Sequence, residues 1–96
     1  MLPIGSVVLL KGGSKTLMIF GRKQMSTLNN KVWDYLACFY PEGSIGPEYC
    51  FLFNEEDIDE VVFRGYSDEN NLNFEKQLLN NISNENDKEI LENNNI

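Results

Sequence analysis

A chain of 96 residues, 42% of them hydrophobic, is long enough to form one domain with a modest core. Its formal net charge of −7 argues against a nucleic-acid partner, because binding to the phosphate backbone depends on Lys and Arg. The chain has no His and no run near the roughly 20 apolar residues of a membrane helix, so neither a His-based site nor a membrane span is expected. No basic segment precedes the first apolar run, so we expect no signal peptide and a cytoplasmic location.

The first two elements are predicted to be strands joined by a tight turn. Ser6–Leu10 and Thr16–Phe20 are mostly apolar, and Gly12 and Gly13 lie between them. A Gly-Gly connection between two such runs predicts a β-hairpin. A Gly-rich turn beside Lys11 also suggests a phosphate-binding loop, but such a loop leads into a helix, and here the second run has strand character.

The most aromatic part of the chain predicts a third strand, Val32–Tyr40, and a fourth, Tyr49–Phe53. Alternate residues of a strand share a face, and the third strand is apolar on both faces apart from Asp34. A central position in the sheet is therefore predicted for it. One of its faces carries Trp33, Tyr35, Ala37 and Phe39.

The loop between these strands contains two Gly and two Pro, so we expect it to have a defined shape. Tyrosines at its two ends combine apolar area with a polar tip, a combination that is enriched at protein interfaces. We therefore predict that the side chains projecting from this loop bind a partner protein. They are Tyr40, Glu42, Ile45, Glu48 and Tyr49.

The two cysteines, Cys38 and Cys50, lie on the third and fourth predicted strands. If these strands form a hairpin, a register change of one residue decides whether the thiols oppose each other or face opposite sides. We expect both cysteines to be reduced and buried. No metal site is predicted, because further ligands are lacking.

A change in charge after Tyr66 divides the chain. Residues 1–66 carry eight acids and six bases, whereas residues 67–96 carry seven acids and two bases. In the first part, Asn54 begins a predicted helical turn and Asp59–Arg64 is a predicted fifth strand. We therefore expect a β-rich core domain over residues 1–66.

The remaining residues are predicted to contain one helix and a tail. An apolar stripe from Phe74 to Ile82 indicates a helix within residues 67–82, capped by Ser67 or Asn71. Residues 83–96 are acidic and rich in Asn, and we expect them to be flexible.

The carboxylates offer the nearest approach to a catalytic pair. Glu42 and Glu48 could act as acid and base if burial raised the pKa of one of them. The sequence gives no sign of such burial, so we predict that the protein is not an enzyme and uses no cofactor.

Six segments share a pattern with one group of proteins. They are Leu2–Val8, Lys11–Gly13, Met18–Arg22, the pair Tyr40–Gly43 and Gly46–Tyr49, and Phe53–Tyr66. Together they resemble a family of small proteins from low-GC Gram-positive bacteria, encoded beside type VII secretion systems and the LXG-domain toxins that these systems export. The resemblance covers roughly residues 2–66 and does not extend into the tail.

The resemblance implies a cytoplasmic accessory protein, a chaperone or targeting factor that binds the helical LXG region of a toxin before export. Small helical secretion proteins are further candidate partners, and no catalytic residue is implied. The alternative is an immunity protein whose acidic surface covers a basic toxin active site. The oligomeric state stays open.

These elements predict an α+β fold, with a five-stranded, mostly antiparallel, twisted sheet and a C-terminal helix. Short connections favour the pairing of neighbouring strands in sequence order. Because strands one and three are apolar on both faces, a partly open barrel is an alternative form of the same sheet.

Overall fold

The computed structural model describes residues 1–82, and within them the predicted α+β fold is confirmed. The regular elements are β1 (Val7–Leu10), β2 (Leu17–Met25), β3 (Val32–Phe39), β4 (Cys50–Phe53), β5 (Ile58–Phe63) and α1 (Glu69–Ile82), with short 3-10 helices at Pro47–Tyr49 and Glu55–Asp57. Met1–Tyr66 form one compact unit, and a second unit begins at Ser67. The tail predicted over residues 83–96 lies outside the described residues.

The five strands form one antiparallel sheet in the order β4-β3-β2-β1-β5. The first four strands pair in sequence order, as predicted, but the expectation that β5 would follow β4 is wrong. Strand β5 pairs with β1, which places Ile58 opposite Leu10, and both side chains pack against the buried core. The Lys11 N–H also donates to the Asp57 carbonyl at 2.9 Å. The sheet stays open, with β4 and β5 at its two edges.

The main hydrophobic cluster lies on one face of the sheet, and Val7 and Cys38 are buried on the other. The buried members of the cluster are Leu2, Val8, Leu17, Ile19, Tyr35, Ala37 and Phe53. Tyr35 and Ala37 share one face of β3, as the sequence pattern predicted, and Leu36 and Cys38 belong to the other face. Leu2 comes from the segment before β1, so the amino-terminal residues contribute to the core as well as the strands.

Tyr35 connects three distant parts of the chain. Its hydroxyl accepts a hydrogen bond from the Leu2 N–H at 2.7 Å and donates one to Glu55 Oε2 at 2.8 Å. Its ring lies 5.6 Å from that of Phe53, measured between centroids. Burial raises the pKa of Tyr35; the bond from Leu2 opposes this shift and the Glu55 carboxylate adds to it, so the net pKa lies well above its usual range. The hydroxyl therefore keeps its proton and serves as donor and acceptor at once.

Asp34 fixes the start of the 3-10 helix Glu55–Asp57. One of its carboxylate oxygens lies 2.6 Å from Lys23 Nζ, and the other accepts the Glu55 N–H at 2.9 Å. The Asn54 side chain accepts the Asp34 N–H at 3.1 Å, and the Asn54 N–H donates to Asp57 at 2.8 Å. Asn54 therefore stands at the start of the predicted helical turn, and Asp34 holds that turn against β3.

Helix α1 starts at Glu69, and Asp68 caps it by accepting the Asn71 N–H at 3.0 Å. The prediction that Ser67 or Asn71 caps the helix is therefore wrong, and a carboxylate suits the positive helix start better than either. Among the described residues, no helix has both the length and the apolar character needed to cross a bilayer.

Replacing Tyr35 with Phe is expected to lower the free energy of unfolding by about 1–3 kcal/mol, because the buried Leu2 N–H loses its acceptor. Urea denaturation measures this change. The control is Tyr40→Phe, which removes a hydroxyl from a half-exposed ring. Equal stability of the two variants would contradict the role assigned to the Tyr35 hydroxyl.

Acid should weaken the contact between β3 and the 3-10 helix. Burial alone would raise the pKa of Asp34, but the hydrogen bonds from Lys23 and Glu55 outweigh it and hold the pKa below its usual value. A carboxyl with a lowered folded-state pKa stabilises the fold above its unfolded value, near 3.8, and this stabilisation is lost as the pH falls through the folded value. Asp34→Asn should cost about 1 kcal/mol at neutral pH and less in acid. Urea unfolding across that pH range tests this, and a constant difference between the two proteins would refute it.

Candidate partner-binding surface

Backbone hydrogen bonds close the loop between β3 and β4. The Gly43 N–H donates to the Phe39 carbonyl at 2.8 Å, and the Tyr49 N–H donates to the Gly46 carbonyl at 3.0 Å. Gly43 has a φ of 80°, a left-handed conformation that glycine adopts without strain. The peptide bond before Pro41 is cis. The loop thus has the defined shape that its Gly and Pro content predicted.

The five side chains predicted to bind a partner are all exposed: Tyr40, Glu42, Ile45, Glu48 and Tyr49. Glu42 forms a salt bridge of 2.8 Å with Lys15, and this hydrogen bond lowers the pKa of Glu42 below its usual value. Both side chains are solvent-accessible, so the pair adds little to stability. Lys15 also partly neutralises the charge that Glu42 presents to a partner.

The structure separates the two loop tyrosines onto opposite faces of the sheet. Tyr49 packs against Phe39, with ring centroids 6.3 Å apart, on the side of the core. Tyr40 is the next residue along from Phe39 and lies on the other face, where it borders a depression together with Val7 and Phe63. One flat partner surface therefore cannot cover both rings equally.

An exposed apolar surface forms where Tyr40 meets the end of β5. We call Tyr40, Val62 and Phe63 the edge patch; they are 48%, 50% and 61% exposed. With Val7 they line a depression of about 340 Å³. Neighbouring exposed apolar side chains of this kind are typical of protein-binding surfaces.

The opposite side of β5 has a different chemistry. Asp59, Val61 and Arg64 line a second depression of about 330 Å³, together with Leu2, Glu55 and Ile58. Charges of both signs stand here beside apolar atoms. The charged depression and the edge patch therefore lie on different sides of β5.

Strand β5 is also an edge strand. It pairs with β1 on one side, and no strand within residues 1–82 pairs with its other side. Every residue from Asp59 to Phe63 is exposed. Such an edge offers backbone donors and acceptors as well as side chains to a partner.

Potential metal ligands do not cluster in the described part of the chain. Within residues 1–82, no group of three or more His, Cys, Asp or Glu side chains is placed to hold a metal ion. The predicted acid–base alternative, Glu42 and Glu48, consists of two exposed carboxylates.

Of the three residues of the edge patch, the sequence analysis named Tyr40 as a candidate and treated Val62 and Phe63 only as part of a strand. The signal was present in the alternation. Strict alternation in the sequence would place Glu60 between Ile58 and Val62 on one face and Asp59 with Phe63 on the other. In the structure, two register shifts between β1 and β5 break this alternation. A strand with acids on both faces cannot bury either face fully, which indicates a solvent-exposed edge.

The chain was compared with known proteins at the levels of family, sequence and fold. No curated protein and no solved structure matches it. A family model, described as a domain of unknown function (DUF4176), matches residues 1–74. The match extends over the whole five-stranded unit and the beginning of α1. The chain therefore belongs to the DUF4176 family.

Proposed function

We propose that this protein is a non-catalytic binding module, an accessory chaperone or targeting factor that binds the helical LXG region of a type VII secreted toxin before export. The observation that carries the binding role is the edge patch, in which Tyr40, Val62 and Phe63 remain about half exposed on a folded domain. The identity of the partner rests on the resemblance of residues 2–66 to proteins encoded beside LXG toxins.

The edge patch has the composition of a binding centre. Aromatic residues such as Tyr40 and Phe63 can contribute much of the binding free energy when a partner covers them. Exposed apolar side chains contribute little to the stability of the isolated domain. Their burial against a partner contributes about 25 cal/mol of binding free energy per Å² of apolar surface, before the costs of association are subtracted.

The depression beside β5 suits an amphipathic helix. It has a volume of about 340 Å³ and is lined by Val7, Tyr40, Val62 and Phe63. A partner helix can insert its apolar side chains into a groove of this kind. A helical LXG region would present such side chains at intervals of three and four residues. A chaperone that covers them would keep an apolar stripe of the toxin out of water.

The charged side chains along β5 set a second requirement, on the charge of the partner. Glu55, Glu56, Asp59 and Glu60 are all exposed at or before β5, with Arg64 as an exposed base at its end. Complementarity therefore favours a partner helix with Lys or Arg beside its apolar stripe. An acidic surface also suits the alternative, an immunity protein that covers a basic toxin active site.

The two functions are separated by the part of the toxin that binds. We expect the purified protein to retain the isolated amino-terminal LXG region of the neighbouring toxin in a pull-down and to leave its carboxy-terminal toxic domain unbound. Capture of the toxic domain alone would instead establish the immunity function. Binding to neither part would refute both.

Alanine substitutions in the edge patch should weaken binding more than folding. Tyr40→Ala and Phe63→Ala should each cost about 2 kcal/mol or more of binding free energy if they are central contacts. Because both rings are about half exposed, the loss of unfolding free energy should stay below the roughly 3–5 kcal/mol of a buried aromatic. Titration calorimetry and urea denaturation of the same samples measure the two quantities.

The matched control is Leu28→Ala, since Leu28 is 95% exposed in the connection between β2 and β3, away from the edge patch. Tyr49→Ala reports on the other face of the sheet. Normal binding by folded Tyr40 and Phe63 variants, with a loss only in Tyr49→Ala, would move the interface to the core side of the loop.

A further inference from the structure

The structure resolves the register of the two cysteines. Cys38 on β3 pairs directly with Cys50 on β4, one position along from the pair Ala37 and Phe51. Because Ala37 and Phe51 belong to the core face, the two thiols share the opposite face of the sheet. They are therefore cross-strand neighbours.

Their spacing suits a covalent bond. Directly opposed residues of antiparallel strands have Cα atoms about 4.5–5.5 Å apart. Disulfides join residues whose Cα atoms are roughly 4.4–6.8 Å apart, so the backbone already satisfies this requirement. Both cysteines carry free thiols in the structure.

The two thiols differ in access and in hydrogen bonding. Cys38 is 1% exposed, and its thiol points to the Met18 carbonyl at 3.7 Å. Cys50 is only partly buried, so the prediction that both cysteines are buried is wrong for this one. Its thiol points to the Gly46 carbonyl in the loop at 3.5 Å. Burial, and then the neighbouring Cys50, raise the pKa of Cys38. A reagent in the solvent can therefore reach the Cys50 thiol directly, whereas the Cys38 thiol reacts by way of a modified Cys50.

We propose that Cys38 and Cys50 form a cross-strand dithiol that a low-molecular-weight disulfide oxidises to an intramolecular disulfide, which fixes the base of the loop at residues 39–49. The inference stands on the strand register and does not depend on the identity of the binding partner.

The exchange takes two steps. The Cys50 thiolate attacks one sulfur of the small disulfide, forms a mixed disulfide and releases one small thiolate. Cys38 then loses its proton and attacks Cys50 Sγ, which breaks the mixed disulfide and releases the second small thiolate. The two protein thiols lose two electrons and two protons, and the small disulfide takes them up as two thiols.

The bond would act on the predicted binding loop. It would join the end of β3 to the start of β4. These two positions flank the loop that carries Tyr40, Glu42, Ile45, Glu48 and Tyr49. Closing that loop covalently restricts the unfolded chain and so favours the folded state. Oxidation would thus stabilise the loop without adding any contact to its exposed side chains.

The test uses the purified full chain, reduced and then incubated with excess oxidised glutathione. We expect its mass to fall by two hydrogens, both titratable thiols to disappear, and digestion to yield a peptide that links Cys38 to Cys50. A chain that keeps both thiols, retains glutathione on Cys50 or becomes linked to a second copy would overturn the proposal.

Two variants identify the order of attack. Cys38→Ser should stop at one glutathione on Cys50, because no second thiol is present to displace it. Cys50→Ser should keep its Cys38 thiol unmodified as long as the chain is folded. Glutathione on Cys38 in a folded Cys50→Ser chain would show that Cys38 is open to attack and would overturn the order. The wild-type result decides disulfide formation without either variant.

Thermal unfolding tests the effect on the loop. The oxidised wild-type chain should melt at least about 4 °C above the reduced chain, and Cys38→Ser treated in the same way should gain no such increase. An oxidised chain that melts at or below the temperature of the reduced chain would show that the bond distorts the hairpin and would refute the stabilising role.

Discussion

The hydroxyl of Tyr35 is the interaction on which the fold of the sheet depends. It joins the Leu2 N–H to the Glu55 carboxylate, and its ring packs against Phe53. One buried side chain thus holds the amino-terminal segment, β3, β4 and the short helix that leads to β5. An apolar residue of the same size would fill the volume but leave the buried amide of Leu2 without an acceptor, which is costly in a core. The 3-10 helix Glu55–Asp57 is therefore held in place, and β5 leaves it toward β1.

The position of β5 decides which apolar side chains the sheet leaves exposed. Pairing with β1 uses Ile58 for the core and leaves Val62 and Phe63 beside Tyr40, in the edge patch. The same residues in a strand covered on both sides would be ordinary core. Exposure at a sheet edge makes them part of the proposed interface, and the acidic side chains of Asp59 and Glu60 are exposed on the same strand.

The loop between β3 and β4 has two different sides. Tyr49 packs against Phe39 on the core face of the sheet, whereas Tyr40 lies on the face that carries Cys38 and Cys50. The proposed interface and the proposed disulfide therefore share one side of the sheet. Neither requires a large movement, because the loop is already closed by backbone hydrogen bonds from Gly43 and Tyr49.

The sequence by itself determined the elements, since alternating apolar residues, Gly and Pro turns and the acidic start of a helix act over a few neighbouring residues. It also placed Tyr40 and Tyr49 at exposed loop ends. Only the tertiary structure decided the neighbour of β5, the partners of the Tyr35 hydroxyl and the register of Cys38 against Cys50. These depend on which distant segments meet, and local pattern carries no such information: a strand such as Ile58–Phe63 can pair with either free edge of a sheet until core packing and one buried hydrogen-bonded side chain select between them.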